Sequence, residues 1–333
     1  MKAIVTGSSG FIGSNLANQL LSFGWKVLGL DNLSDYYSID FKQNRTLKTK
    51  SHENFEFINH DIFANKVLNE IVSNFKPDFI FHLAAQAGVR IPLKENYKYV
   101  ESNLVGFSNI LQAALMNDIP NFLYASSSSV YGDDAQIPFI ESERNLNPNS
   151  FYGATKLSNE ILANSVIKGT KTRARGMRFF TVYGPAGRPD MAYFRIINSL
   201  INGTPFHLYG NGSIERDFTF VDDCVEMIIR LSEELSSREP GFSDLVNIGG
   251  GHPVSMQKLI EIASLQLNRE LKVLEEEGNP KDVAKTMADS TYLMKLIGDK
   301  PKCKLEDGLA KTIEWARNEV TPEQLASWVA SSK

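Results

Sequence analysis

The sequence contains little cysteine, with only Cys224 and Cys303 among 333 residues. Two isolated cysteines exclude a disulfide framework and a zinc site, so we expect a reducing, cytoplasmic location and no bound metal. Lysine and arginine form no long basic block and the net charge is −4, which speaks against a nucleic-acid partner. The sequence also lacks an N-terminal leader pattern and any apolar run long enough to span a bilayer, so no membrane partner is expected.

Short apolar runs alternate with helical patterns through the first half of the chain. Strands are predicted at residues 3–5, 27–30, 55–59, 79–83, 122–125 and 174–180. Helices are predicted to start after Gly13 and to cover residues 64–75, 96–117 and 152–168. The polar residues 32–53 are expected to form a loop or a helical insertion outside the sheet. This alternation predicts an α/β fold with a doubly wound parallel sheet, the Rossmann arrangement.

The pattern becomes mixed after residue 180. Glycine and proline pairs such as Gly184-Pro185 and Gly210-Asn-Gly212 separate shorter elements. We therefore expect two domains: a dinucleotide-binding Rossmann domain over residues 1–180, and a smaller mixed α/β lobe over residues 181–333. The second part is expected to bind the substrate, with some excursions that return to the Rossmann sheet.

A glycine-rich turn opens the chain, with Gly7, Gly10 and Gly13 between a predicted strand and a predicted helix. Glycines at this spacing let backbone amides and the positive end of the helix face a pyrophosphate, and they let the helix pack closely on the strand. Asp31 ends the second strand, where a carboxylate can bind the adenosine ribose hydroxyls and repel a 2′-phosphate. The turn therefore predicts NAD rather than NADP, although glycines also serve ordinary turns and Asp31 could simply end a strand.

Tyr152 and Lys156 lie four residues apart, so on a helix their side chains address the same cavity. A tyrosine hydroxyl with its ordinary pKa of about 10 is a poor base. A nearby ammonium and the positive charge of an oxidised nicotinamide would lower that pKa. Ser127, at the end of a predicted strand, could share the substrate proton. The three residues predict a nicotinamide enzyme that acts on a secondary alcohol, whereas the tyrosine and lysine alone could be a chance surface pair.

Several motifs in the same order resemble the extended short-chain dehydrogenase/reductases that modify nucleotide sugars. Besides the glycine turn and Tyr-x-x-x-Lys, they are His82-Leu-Ala-Ala85, Arg216-Asp-Phe218 and Val221-Asp-Asp223. The resemblance covers residues 2 to about 318. It implies that Tyr152, Lys156 and Ser127 are catalytic. It also implies that the cofactor is bound by Gly7, Gly10, Phe11, Ile12, Gly13, Asp31, Asn32, Asp61, Ile62, Leu83, Ala84, Ala85, Gln86, Tyr152 and Lys156.

The residues next to the sugar distinguish subtypes within this family. Members that eliminate water or carbon dioxide place acidic groups where this chain has Ser128 and Ser129, because those reactions need an additional acid or base. Hydroxyls at both positions favour oxidation followed by reduction, which is epimerisation. The segments 85–90, 178–184 and 187–191 closely resemble UDP-glucuronate 4-epimerases.

This resemblance implies that a UDP-sugar is the substrate. Hydroxyls at Ser128, Ser129 and Thr181, with the cation of Arg188, could hold a uronate carboxylate through strong hydrogen bonds. Arg188 could instead bind backbone carbonyls, and Arg216, assigned to the UDP diphosphate, could instead pair with Asp217 or Asp222. The substrate-binding residues implied are Arg90, Ser128, Ser129, Thr181, Arg188, Arg216 and Asp282.

Two departures from the family pattern bear on the exact sugar: Lys281 replaces a usual glycine, and Ala186 replaces a tryptophan. Three alternatives stay open: an epimerase of UDP-glucose or UDP-N-acetylglucosamine, a decarboxylase or dehydratase, and a non-catalytic NAD-sensing module, against which the intact Tyr152, Lys156 and Ser127 speak. His82 and His252 are expected to be structural.

Members of the family commonly form homodimers through the two helices predicted at 96–117 and 152–168, so a homodimer is expected.

Overall fold

The structure is a computed structural model that describes residues 1–89, 91–278 and 283–332. Its strands are β1 (Lys2–Thr6), β2 (Lys26–Asp31), β3 (Phe55–Asn59), β4 (Phe79–His82), β5 (Asn121–Ser127), β6 (Arg173–Phe179), β7 (Thr181–Tyr183), β8 (Phe206–Tyr209), β9 (Glu215–Phe220), β10 (Ser243–Ile248), β11 (Pro253–Ser255) and β12 (Val273–Glu276).

The helices are α1 (Phe11–Ser22), α2 (Ile39–Lys50), α3 (Asn65–Phe75), α4 (Tyr97–Tyr99), α5 (Phe107–Met116), α6 (Phe151–Ile167), α7 (Ala192–Asn202), α8 (Val221–Ser236), α9 (Met256–Leu267), α10 (Thr291–Ile297), α11 (Leu305–Asn318) and α12 (Pro322–Ala330). Short 3₁₀ turns cover Leu93–Glu95 and Ser128–Val130, and a π-helix covers Val100–Gly106. Within the ranges described, no helix has the length and apolarity that crossing a membrane requires.

A seven-stranded parallel sheet in the order β10-β6-β5-β4-β1-β2-β3 forms the centre of the larger lobe. The predicted doubly wound parallel sheet is thus confirmed. The chain runs from β1 outward to β3 and then returns to β4 on the other side of β1. The carboxyl ends of β1 and β4 therefore diverge at a switch point, which is where such sheets bind ligands.

Side chains alternate between the two faces of this sheet, as the strand period requires. Val5 and Val27 pack in an apolar cluster with α1, α8 and α10, whereas Ile4 and Leu28 pack in another cluster with α3, α5 and α6. Both faces of the sheet are therefore covered by helices. This burial explains why the strands read as continuous apolar runs.

The smaller lobe contains the mixed sheet β11-β9-β7, the parallel pair β12-β8, and helices α7, α9, α11 and α12. The polar insertion predicted at 32–53 contains α2, which is helical and outside the sheet as expected. Phe41 of α2 stacks on Trp328 of α12, with ring centres 4.0 Å apart. The chain returns to the large sheet at β10, and the predicted domain boundary at residue 180 stays a prediction.

The helix predicted over residues 96–117 is interrupted by the π-helix Val100–Gly106. Wider helical turns of this kind often occur at functional sites. Here the turn contains Asn103, whose Oδ1 accepts a hydrogen bond from the backbone nitrogen of Gln86 at 2.8 Å. Its Nδ2 donates to the Gln86 carbonyl at 3.1 Å and to Thr155 Oγ1 at 3.1 Å. The irregular turn thereby fixes the segment that follows β4.

Candidate active site

The glycine turn forms a close-packed cradle at the carboxyl end of β1. Gly7 has a φ of +71°, and a Cβ added there would lie 2.8 Å from the backbone nitrogen of Ala84. A Cβ added at Gly13 would lie 2.1 Å from the Gly7 carbonyl oxygen. The first turn of α1 receives no capping hydrogen bond from a described side chain, so its amides are available to an anion. This cradle fits a pyrophosphate.

The cradle continues into a cleft with a volume of about 780 Å³. Every predicted cofactor residue lines this cleft, as do Ser127, Ser128, Ser129, Thr181, Arg188 and Arg216. The structure thus brings together residues that are up to 209 positions apart in the sequence, from Gly7 to Arg216. Arg90 and Asp282 lie outside the described residues.

Asp31 and Asn32 form one end of the cleft. The carboxylate of Asp31 accepts hydrogen bonds from the backbone nitrogens of Ser9 at 2.9 Å and Leu33 at 2.8 Å. Asn32 Nδ2 donates to Asp61 Oδ2 at 2.9 Å, which joins the ends of the second and third strands. These oriented carboxylates at the edge of β2 and β3 suit the hydroxyls and amine of an adenosine.

The floor beside the cradle is set by the end of β4. Thr6 Oγ1 accepts a hydrogen bond from the backbone nitrogen of Ala84 at 3.1 Å and lies 2.8 Å from Nδ1 of His82. Complete burial lowers the pKa of His82 to about 3, with the nearby Lys156 charge acting in the same direction. His82 is therefore neutral at physiological pH, which suits the structural role predicted for it.

Tyr152 and Lys156 lie on α6, whose N-terminus is capped by Ser150 through a 3.0 Å hydrogen bond from the Gly153 nitrogen. Lys156 Nζ donates to the carbonyl of Ala125 at 2.8 Å and lies 5.8 Å from the centre of the Tyr152 ring. Ser127, at the end of β5, lies close enough to the phenol of Tyr152 to lower its pKa. The three predicted catalytic side chains therefore converge where α6 meets β5.

The protein groups around Tyr152 act on its pKa differently from the sequence-based expectation. Burial raises the pKa of Tyr152 above its ordinary value, and the main opposing effects are the charge of Arg188 and the nearby hydroxyl of Ser127. Lys156, whose ammonium donates to the Ala125 carbonyl, is not one of these groups, so the effect of its charge on the phenol stays a prediction. The positive charge of an oxidised nicotinamide, the other half of that expectation, would lower the pKa of Tyr152 further.

A buried ion pair lies one helical turn beyond Lys156 on α6. Burial lowers the pKa of Lys156 to about 8, and the negative charge of Glu160 opposes this shift. Glu160 Oε1 accepts from Arg178 Nε at 2.9 Å, and Oε2 accepts from Arg178 Nη2 at 2.8 Å. Ser126, adjacent to the predicted catalytic serine, donates to Glu160 Oε1 at 2.5 Å. The pair thus joins α6, β5 and β6 beneath the site.

Arg188 pairs with a carboxylate rather than with the backbone carbonyls considered from the sequence. Its Nε and Nη2 donate to the two oxygens of Asp190 at 3.0 and 2.5 Å. The Tyr36 hydroxyl donates to Asp190 Oδ2 at 3.2 Å. Arg216 Nη1 donates to the carbonyls of Glu215 at 2.9 Å and Val283 at 2.7 Å. Both arginines remain in the cleft, at positions where they can meet an anionic ligand.

Sequence reasoning missed several residues that line the same cleft: Ser34, Tyr36, Lys42, Asn149, Asp190, Arg195, His207, Tyr209 and Thr286. Lys42 is buried and donates to the Ser34 carbonyl at 2.6 Å. Burial lowers its pKa to about 8. For Ser34, Tyr36 and Lys42, the one signal that the sequence offered was composition. Residues 32–53 combine two adjacent tyrosines with basic residues in a stretch that carries no apolar helical face.

Comparisons with known proteins agree with this geometry. Residues 3–249 match the NAD dependent epimerase/dehydratase family. The chain is 39% identical over 328 residues to Protein CapI of Staphylococcus aureus, covering 95% of this chain and 98% of that protein. It is 36% identical over 320 residues to the UDP-glucuronate 4-epimerase of Thermodesulfobacterium geofontis, covering 95% and 96%.

A solved structure extends the comparison to three dimensions. UDP-glucuronic acid 4-epimerase from Bacillus cereus, in complex with UDP-glucuronic acid and NAD, matches with a TM-score of 0.88 and 30% identity, over 96% of this chain and 100% of that one. The chain belongs to the NAD dependent epimerase/dehydratase family, as its motifs predicted. The glycine cradle and the carboxylates at β2 and β3 fit the cofactor for which that family is named.

Proposed function

We propose that this protein is a UDP-glucuronate 4-epimerase, which inverts C4 of UDP-glucuronate reversibly to give UDP-galacturonate with tightly bound NAD. One observation carries the proposal. The Tyr152, Lys156 and Ser127 side chains share a cleft with both the glycine cradle and a group of hydroxyls and arginines suited to a carboxylate. When bound in this cleft, NAD supplies the redox chemistry, accepting the C4 hydrogen with its electron pair and later returning it.

Tyr152 acts as the base and then as the acid. Its phenolate removes the proton of the C4 hydroxyl, and the neighbouring Ser127 hydroxyl shares that proton. Lys156 stabilises the phenolate by its charge, which is present below its pKa of about 8. Loss of this proton, together with transfer of the C4 hydrogen and its electron pair to the cofactor, gives a 4-keto sugar. After the sugar has turned to present its opposite face, Tyr152 returns the proton to the oxygen at C4.

The 4-keto intermediate explains why a uronate needs several polar contacts. It is a β-keto acid, which loses carbon dioxide if the bond to its carboxylate aligns with the carbonyl π system. Ser128, Ser129, Thr181 and Arg188 can hold the carboxylate away from that alignment through charge-assisted hydrogen bonds. Arg216 holds the diphosphate, so the sugar can rotate while the nucleotide stays bound.

The proposal is tested by incubating the purified protein with UDP-glucuronate, UDP-glucose or UDP-N-acetylglucosamine, without added cofactor. We expect conversion of UDP-glucuronate to its C4 epimer at a rate at least about tenfold above either neutral sugar, since only the uronate has a sugar carboxylate that can make charge-assisted hydrogen bonds. Chromatography separates the epimers and mass spectrometry detects lost water or carbon dioxide. Faster turnover of a neutral sugar, or a pentose product, would reject the assignment.

We also propose a cytoplasmic homodimer. Cys224 is buried, Cys303 is half-buried, and the two do not form a disulfide, which is consistent with a reducing compartment. Helices α5 and α6 pack side by side, and both carry exposed apolar residues, including Ile161 and Met116, which are 62% and 66% exposed. An apolar surface spread over two adjacent helices suits a second copy of the same surface.

The substitution Ile161→Asp tests the dimer. Because a charge at this position would be desolvated in a helix interface, we expect the mass in analytical ultracentrifugation to fall from twice 37.2 kDa to 37.2 kDa. The exposed Leu265, at the surface of α9, provides the control as Leu265→Asp. An Ile161→Asp variant that sediments like the wild type would show that α6 is not the interface.

A further inference from the structure

The side chain of Arg45 connects two segments that bind different parts of the ligand pair. Arg45 lies on α2, in the insertion, and reaches across to the start of α1 and to the loop that follows β7. Its Nη1 donates to the carbonyl of Ser9 at 2.9 Å, inside the glycine cradle. Its Nε donates to the Ala186 carbonyl at 2.9 Å, and Nη2 to the Gly187 carbonyl at 3.1 Å. These two carbonyls immediately precede Arg188.

The guanidinium is itself held in a fixed position. Nη1 also donates to the Tyr37 hydroxyl at 2.7 Å, and the guanidinium carbon lies 4.5 Å from the centre of the Phe41 ring. Phe41 is anchored in turn by its stacking on Trp328. A planar guanidinium with several donors can bind acceptors in three directions at once, which a lysine ammonium on a flexible chain does less well. The small lobe therefore sets the position from which Arg45 acts.

The loop that Arg45 binds has an unusual backbone. Ala186 has a φ of +53°, a left-handed conformation that is unfavourable for a residue with a Cβ. Gly187 is tightly enclosed, because a Cβ there would lie 1.6 Å from the Tyr193 hydroxyl. The loop thus needs an external contact to hold its shape, and the two hydrogen bonds from Arg45 supply it. Three residues after Gly187, Asp190 fixes the guanidinium of Arg188.

We propose that Arg45 is a positioning residue that locks the loop carrying Arg188 to the dinucleotide cradle, and so sets how well the cleft binds the carboxylate of its substrate. This inference rests on the proposed function, because the carboxylate is that of UDP-glucuronate. Arg45 does not touch the reacting atoms. Its effect is to hold Ala186 and Gly187 at one distance from Ser9, so that the cofactor side and the sugar side of the cleft keep a single relative geometry.

The substitution Arg45→Met tests this role, since methionine keeps an unbranched apolar chain against Phe41 but removes the donors. We expect KM for UDP-glucuronate to rise about tenfold, with kcat changed less than about threefold, because binding of the carboxylate and not the chemistry is affected. Arg45→Lys retains the charge and should recover only part of the change. Wild-type KM values in both variants would overturn the proposal.

Arg269 offers a matched control. Its Nη1 donates to the carbonyls of Leu200 at 2.8 Å and Ile201 at 2.6 Å, so Arg269→Met also removes carbonyl contacts of an arginine, away from the cleft. We expect this variant to lower the melting temperature without changing KM. If Arg269→Met raised KM as much as Arg45→Met, the effect would be a general loss of structure and the positioning role would be wrong.

Hydrogen exchange separates this inference from the proposed function. In Arg45→Met we expect faster amide exchange in peptides that cover residues 7–13 and 184–191, whereas Arg269→Met should leave both segments unchanged. Faster exchange at both segments in a protein inactive on UDP-glucuronate would support the lock and reject the substrate. Unchanged exchange at both segments, in a protein that epimerises UDP-glucuronate, would support the proposed function and reject the positioning role of Arg45.

Discussion

Replacing Tyr152 by phenylalanine is expected to lower kcat for epimerisation by about 10³-fold, within the range for loss of a general acid and base. The phenol is the group through which the proton of the C4 hydroxyl leaves and returns, and Ser127 alone has no comparable basicity. The change removes one oxygen from a side chain that remains aromatic. We therefore expect NAD content after purification and the melting temperature to stay near those of the wild type.

A second phenol serves as the control for this result. Tyr292 donates to Asp244 Oδ2 at 2.8 Å, outside the cleft. Tyr292→Phe removes a hydrogen bond of a similar kind, so a modest loss of stability with unchanged kcat is expected. Turnover of Tyr152→Phe within tenfold of the wild-type rate would show that another group is the base.

Replacing Lys156 by methionine is expected to lower kcat by about 10²-fold at pH 7. The ammonium favours the phenolate of Tyr152, and burial already raises the pKa of that phenol. Without the lysine the phenolate becomes rarer at neutral pH, so activity should rise about tenfold for each pH unit up to the limit of protein stability.

The stability of the same variant distinguishes a catalytic from a structural role. Burial lowers the pKa of Lys156 to about 8, which means that the folded protein bears the cost of a buried charge below that pH. Removing the ammonium should therefore leave the melting temperature unchanged or raise it. A variant with wild-type kcat and an unshifted pH profile would remove Lys156 from the mechanism.

The sequence predicted the parts of the site that depend on local spacing. Gly7, Gly10 and Gly13 sit between a strand and a helix, and their positions in the cradle follow from the turn that connects those elements. Tyr152 and Lys156 share a face because α6 is a helix. In each case a few neighbouring residues define both the local structure and the chemistry, so a short motif was sufficient to predict both.

Contacts between distant segments were not predictable in the same way. Arg45 binds carbonyls at positions 9, 186 and 187, and Asp190 pairs with Arg188 beneath Tyr36. None of these pairings leaves a periodic signal, because the partners are brought together only by the packing of the insertion on the small lobe. The burial that raises the pKa of Tyr152 was not predictable for the same reason, since burial depends on the whole fold.

The Glu160–Arg178 pair shows where sequence reasoning stops even within a recognised motif. Glu160 follows Lys156 by one helical turn, which places it on the buried face of α6. Its bidentate partner Arg178 comes from β6, and only the parallel pairing of β5 with β6 places that side chain beneath Ser126. From the sequence alone, a charged residue at such a position is interpreted as part of a solvent-exposed helix face. The order of the strands in the sheet is needed to place it in the interior.

The most direct test of this account uses UDP-glucuronate that carries deuterium at C4, incubated with the purified protein and no added nicotinamide. Because the hydrogen removed from C4 returns to the same carbon within one cleft, we expect UDP-galacturonate with the deuterium retained at C4 and no release of carbon dioxide. Loss of the deuterium to solvent, or a decarboxylated product, would contradict epimerisation through a 4-keto sugar at Tyr152.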